Sequence, residues 1–385
     1  MDRLIRVLNK GFLGSVVVFS ILRAICQCPS ELYGNLRTIN DNLTWGVELA
    51  GSYYLVKTSS LEHYYFPKIS AVVSYQAPIN LSFLVHPVVK YRPAAAVNCP
   101  QHIARSGILW GIWQAFVEYQ TSTWQIKLGR QQYRSGLGYL VDFRFDGILV
   151  SKKCGKTLSH LFLGVVPNDI GAKGFFCARD LLVNDEARRM CVRQLCNARY
   201  GENGLIAFAA DFRRYRLTVA RQWARVPDFE EYVIAGLVNL QLLKNLWLVS
   251  EPTLRYGLSD AKLYHTVISY LNYRQTLLRA YLGWLVSNKS ALLSPNGFGQ
   301  RMRYGPLDKS VGFLQLVILP NKPIHYQIGY YQRVTNQYQT QNNELDLGVI
   351  IRQFSRAQIF ISSALVDFLK ANRIIESSIE VLYVL

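Results

Sequence analysis

Charged side chains recur at alternate positions of strongly apolar runs in this 385-residue chain, and that spacing limits the chemistry open to them. Lys90, Lys127, Arg144, Arg213, Arg216, Arg255, Arg279, Arg333 and Arg352 each stand opposite apolar neighbours. Glu48, Glu118, Asp142, Asp146, Glu251, Glu344, Asp346, Glu376 and Glu380 share the same register. A guanidinium is planar, permanently charged and matched to carboxylate or phosphate, so a wall carrying several of them favours anions. The acids on that face are expected to pair with the cations and balance the wall. For a single arginine, partnership in such a network is the commoner role.

Catalytic chemistry has less support. The histidines His63, His86, His102, His160, His265 and His325 are dispersed, and neither a Gly-x-Ser-x-Gly elbow nor a His-Glu-x-x-His helix motif accompanies them. No catalytic residue, metal or cofactor is assigned. A barrel hydrolase built on a strand histidine such as His86 is the alternative, because its partners would converge only in space. A closed structural barrel is another.

The elements that must position these charges are strands. Leu43, Trp45, Val47, Leu49, Tyr53 and Leu55 share one face, with Thr44, Glu48 and Ser52 on the other. Leu278, Ala280, Leu282, Trp284 and Val286 oppose Arg279, Tyr281 and Gly283, and Leu345, Leu347, Val349 and Ile351 oppose Glu344, Asp346 and Arg352. Period two with an unbroken apolar face is a half-buried strand. Such runs lie near 43–56, 64–77, 79–92, 107–119, 122–132, 141–151, 157–166, 204–213, 215–225, 231–243, 246–257, 262–274, 277–287, 309–319, 322–334, 343–353, 356–367 and 373–385. The fold class is therefore all-β, a transmembrane antiparallel barrel of about 18 strands, with 16 and 20 as alternatives. The connections agree: those after every second strand are tight, whereas the longest, 93–106, 167–203 and 288–308, all fall on the other side. A barrel inserted from the periplasm sorts its loops this way. Inside 167–203, residues 178–196 mix acids, arginines and apolar residues at helical spacing, and a short helix is expected there.

Composition points to the same compartment. Charged residues make up only 18% of the chain, below the roughly 25% of soluble domains, and 24 Tyr and 7 Trp suit the aromatic girdles of membrane barrels. Residues 1–28 read as a signal peptide, with Arg3, Arg6 and Lys10 ahead of a short apolar stretch. Residues 29–42 form an N-terminal periplasmic segment, and 43–385 form the barrel.

The formal charge is +18, and losing Asp2, Arg3, Arg6, Lys10 and Arg23 with the leader leaves +15. A balance this basic calls for an anionic partner: a small anionic molecule, an acidic polysaccharide or lipopolysaccharide. Nucleic acid is excluded by the export signal. Cys177, Cys191 and Cys196, in one loop, are the disulfide candidates, with Cys99 and Cys154 elsewhere and the connectivity open. A zinc site is the weaker reading, since no Cys-x-x-Cys pair accompanies them.

Leu128-Gly129-Arg130-Gln131, then Ser135-Gly136, then Phe145-Asp146-Gly147, resemble the alginate export family of outer-membrane barrels. The match covers roughly residues 113–150, with weaker echoes at 250–257 and 343–351. It implies an 18-stranded monomer with an arginine-rich pore passing acidic sugars or other anions, and it alone gives Arg130 a pore role, because Arg130 falls on the apolar parity unless Gly129 bulges the strand. The last run, Ile375, Ser377, Ile379, Val381, Tyr383 and Leu385, looks like a closing barrel strand. Outer-membrane lipid and the barrel assembly machinery are the expected partners.

Overall fold

The computed structural model describes residues 37–40, 42–57, 61–92, 107–137, 141–166, 203–224, 229–288, 309–333, 343–354, 357–366 and 374–384. Nineteen strands account for nearly all of them. They are β1 (Arg37–Asn40), β2 (Leu43–Lys57), β3 (Leu61–Ala77), β4 (Leu81–Arg92), β5 (Gly107–Gln120), β6 (Trp124–Ser135), β7 (Val141–Cys154), β8 (Thr157–Val165), β9 (Asn203–Phe212) and β10 (Tyr215–Ala224), followed by β11 (Phe229–Leu243), β12 (Leu246–Gly257), β13 (Lys262–Arg274), β14 (Leu278–Ser287), β15 (Lys309–Ile318), β16 (Ile324–Arg333), β17 (Asn343–Phe354), β18 (Ala357–Val366) and β19 (Ile374–Val384).

Each strand from β2 to β19 pairs antiparallel with its sequence neighbours, and β19 pairs with β2, so the sheet closes on itself. Closure removes the two free edge strands that an open sheet would leave in lipid. These 18 strands are the ones the alternation predicts. The short β1 is an addition within the 29–42 segment: it pairs with the first residues of β2, Arg37 opposite Trp45, below the point where the β19 ladder stops at Val384 opposite Glu48. The leader, the three candidate disulfide cysteines and the expected helix at 178–196 lie outside the described residues.

Loop sorting survives in three dimensions. The turns at 78–80, 121–123, 155–156, 213–214, 244–245, 275–277 and 319–323 all lie at one end, which is also where β2 begins and β19 ends. Asn80, Gly155, Arg213 and Leu319 adopt positive φ there, as tight hairpins require. This is the periplasmic end, and the connections 93–106, 167–202 and 289–308 leave from the opposite one.

Alternation sets what each face meets. Ile69, Val85, Phe208, Leu217, Ile234, Leu254, Leu282, Trp284 and Leu347 are exposed on the outside, whereas Glu48, Lys68, His86, Thr218, Glu251, Arg255 and Glu344 are buried on the inside. An inside-out pattern of this kind is stable only in a bilayer, where an arginine on the lipid face would cost about 2–4 kcal/mol at the midplane. Among the described residues no helix is long and apolar enough to cross a membrane.

Candidate permeation site

One hairpin leaves the wall. The β5–β6 ladder ends at Ala115 opposite Arg130, and the β7–β8 ladder ends at Asp146 opposite Val165. From Gln131–Phe145 to Ser135–Val141, β6 and β7 pair only with each other. The departure is hinged on glycine. Gly129 has φ +120, and a Cβ there would overlap the carbonyl oxygen of Ala115. Gly147, directly opposite, has the same problem with the carbonyl oxygen of Leu163.

Two contacts hold the hairpin inside the barrel. Tyr133, Val141 and Phe145 pack against Phe162, Leu205, Ala207, Ala220, Val233 and Ala235, the inward residues of β8 to β11. Tyr133 stacks on Phe162 at 4.2 Å between ring centroids, and Phe145 meets the same ring edge-on at 5.3 Å. The tip then reaches farther round the wall. The Leu137 amide donates to Glu251 Oε2 on β12 at 2.6 Å, and Leu137 packs with Ile268, Leu285, Val311, Phe313 and Tyr331 of β13 to β16. Gly136, at φ +53, leaves no room for a side chain beside that carboxylate. The stretch resembling the alginate export family is this hairpin.

Packing one face on the wall turns the other toward the open lumen. Arg130 grips Asp146 with two parallel bonds, Nε to Oδ1 at 2.7 Å and Nη2 to Oδ2 at 2.9 Å, and its Nη1 donates to the carbonyl of Ile112 at 3.0 Å. That last bond spans the gap where β5 and β6 part. The Arg144 guanidinium lies 3.0 Å from the centroid of the Trp113 ring on β5. His86 on β4 lies in the field of Arg144 and of Lys68, and Lys68 is ion-paired with Glu48.

The remaining expected cations scatter along the barrel. Lys127 is 3.4 Å from Glu118 in the periplasmic half of the lumen. Arg255 is fully buried, 3.5 Å from Glu231 and 3.4 Å from Thr266 Oγ1, so it is part of the wall and has no open lumen before it. Arg213 is not on the lumen wall: it occupies the β9–β10 turn at φ +50, exposed. Arg279 donates to Asn321 Oδ1 at 3.0 Å near the periplasmic mouth, and the exposed Arg352 stands at the same end. Arg333 pairs through its backbone with Val311, and its side chain lies outside the described residues. Glu344 and Asp346 are buried on the inner face of β17.

The apolar residues of β7 needed three dimensions. Val141, Phe145 and Leu149 have the parity opposite Arg144, and they face the interior cluster. Lys68 and Trp113 are site residues that sequence reasoning missed. Lys68 follows a proline on an inner face that mixes polar and apolar residues, with Ser70 and Val72 next along it, and the role of Trp113 depends on a hairpin whose path no local pattern reveals.

Near the periplasmic end, Ser151, His160 and Asp211 form a chain, Ser Oγ to Nδ1 at 2.8 Å and Nε2 to Asp Oδ2 at 3.0 Å. Arg216 holds the same carboxylate, and Ser151 is only 2% exposed. As built, this chain stitches β7 to β10 and presents no open nucleophile. Among the described residues no cluster of His, Cys, Asp or Glu could hold a metal.

No protein-family model matches the sequence, and no curated protein does. Solved structures do match in fold. The Pseudomonas aeruginosa outer membrane protein OpdK in complex with vanillate superposes with a TM-score of 0.62 at 11% identity, over 90% of this chain and 98% of that one. P. aeruginosa OccK11 (OpdR) gives 0.60 at 11% identity over 89% and 96% of the two chains, and Acinetobacter baumannii OccAB1 gives 0.57 at 10% over 92% and 99%. The chain thus has the fold of porin-like outer-membrane barrels. Nothing in this likeness singles out alginate export. With its closed sheet and apolar belt, the chain is a protein of the bacterial outer membrane.

Proposed function

We propose that this protein is a passive channel for small anionic solutes. The observation that carries the reading is the inward hairpin, which narrows the lumen, turns Arg130 toward what remains of it and buries Arg144 on Trp113 beside it. Charges inside a narrow passage are screened less than on an open surface, so even partly paired arginines raise the local anion concentration. The fold likeness to a barrel solved with vanillate, a small aromatic carboxylate, supports the same size class. An acidic polysaccharide such as alginate, which the family resemblance brings to mind, would have to thread past a hairpin latched across the lumen.

Planar-bilayer recordings test this directly. The wild-type barrel should conduct and prefer anions, and replacing Arg144, Arg279 and Arg352 with Gln should move reversal potentials toward cations in low salt. An unchanged reversal potential in a folded triple variant overturns the assignment. The second reading, a barrel hydrolase, draws on the Ser151, His160 and Asp211 chain. It predicts covalent labelling of Ser151 by a fluorophosphonate, whereas the channel reading predicts none.

A further inference from the structure

The excess positive charge has a place in the fold outside the lumen. Three consecutive periplasmic hairpins carry exposed cations: Lys152, Lys153 and Lys156 at the β7–β8 turn, Arg213 and Arg214 at β9–β10, and Lys244 at β11–β12. Hairpins that alternate around a closed sheet stand about 10 Å apart at this rim, so the six side chains form one arc. Among the described residues, the acid nearest these turns is Asp211, and it is already bonded to Arg216 and His160. The loop end is different: there Asp260 and Lys262 neighbour each other, and Arg221 is ion-paired with Glu230.

The level of this arc in the membrane follows from the residues beside it. Phe212 and Tyr215, which flank Arg213 and Arg214, point outward and are 47% and 52% exposed. Leu242 and Leu243, next to Lys244, are exposed as well. Lys152 pairs across strands with Trp124, and its ammonium lies 4.8 Å from the centroid of that outward ring. Outward aromatic and apolar side chains mark where hydrocarbon gives way to headgroups. Lys152 sits level with that boundary and the turn cations Lys156, Arg213, Arg214 and Lys244 lie just beyond it, at the depth of lipid phosphates. A soluble partner would find this arc flush with the headgroups, whereas a phospholipid already lies against it.

We infer that the β7–β12 turns form a binding arc for anionic phospholipid headgroups of the periplasmic leaflet, in which Lys152, Lys153, Lys156, Arg213, Arg214 and Lys244 contact phosphate and Trp124, Phe212 and Tyr215 cover the upper acyl chains. Lysine and arginine beside an anionic leaflet each add to lipid affinity. The inference rests on the membrane placement of the barrel and not on what the pore passes.

The test uses the full barrel in detergent micelles doped with equal amounts of phosphatidylglycerol and phosphatidylcholine, with co-purifying lipid counted by native mass spectrometry. Phosphatidylglycerol should be retained on the order of fivefold over phosphatidylcholine, and a K152Q/K153Q/K156Q/R213Q/R214Q/K244Q variant should lose that preference. Because Arg213 sits at positive φ, a second variant keeps Arg213 and changes the other five, and heat-modifiable gel migration reports folding of both. If the folded five-site variant keeps the wild-type preference, or if the wild type shows none, the arc does not bind lipid phosphate. Capture of a soluble anionic polymer such as muramyl peptide, without phosphatidylglycerol enrichment, would equally overturn it.

Discussion

The wall from β13 to β16 and the hairpin of β6 and β7 follow the same two-residue period but use it differently. On β14, Leu282 and Trp284 face lipid at 56% and 53% exposure, while Leu285 between wall and interior is 2% exposed. Parity there translates directly into inside and outside, because each strand is paired on both sides and cannot tilt away. In the hairpin, Arg130 pairs opposite Ala115, on the face that elsewhere meets lipid, yet it lies inside. Pairing on one side only, with glycine at both pivots, lets the ribbon lie flat on the opposite wall. The former outer face then becomes the pore face. The lesson is that parity assigns a side only where the ladder is continuous.

The largest effect that sharpens this contrast is expected in the regular wall, at Arg255. Arg255→Met leaves Glu231 buried without its cation and should destabilise the barrel by about 3–5 kcal/mol, read as a lower unfolding midpoint in urea. Ion selectivity should stay as in the wild type. A selectivity change without loss of stability would place Arg255 in the pore after all.

Next in size is the hinge. Gly129→Val forces a β-branched side chain into positive φ and against the carbonyl of Ala115, at a cost of about 1–3 kcal/mol, and should swing the hairpin off its seat. Single-channel conductance should rise. The matched control is Gly312→Ala on β15, where a Cβ meets open space and conductance should not change. Equal behaviour of the two variants would remove the hinge from the account.

The smallest effect is expected at the latch. Glu251→Ala removes the acceptor of the Leu137 amide, worth about 1.5–3 kcal/mol locally, while the apolar seat of Tyr133, Val141 and Phe145 remains. Mean conductance should stay near wild type, with more frequent current fluctuations as the tip detaches. Quiet records would show that the apolar seat alone holds the hairpin.

The sequence by itself determined the class of fold, the strands and the sorting of their turns. Those follow from local alternation and from the need to satisfy every backbone group in lipid, and both are written in neighbouring residues. It also placed Arg279, Glu344 and Asp346 on the face opposite the apolar residues, because β14 and β17 are continuous strands. The tertiary structure alone decided which partner each cation meets. Arg255 and Arg144 look alike along the chain, but one lies against Glu231 and the other on Trp113, partners brought from β11 and β5. The hairpin's path depends on two glycines meeting carbonyls of neighbouring strands and on a tip that finds Glu251 more than a hundred residues away. A period of two records which side of a ribbon a residue occupies. It cannot record that the ribbon leaves its sheet, because that choice belongs to contacts the ribbon makes only after the barrel has closed.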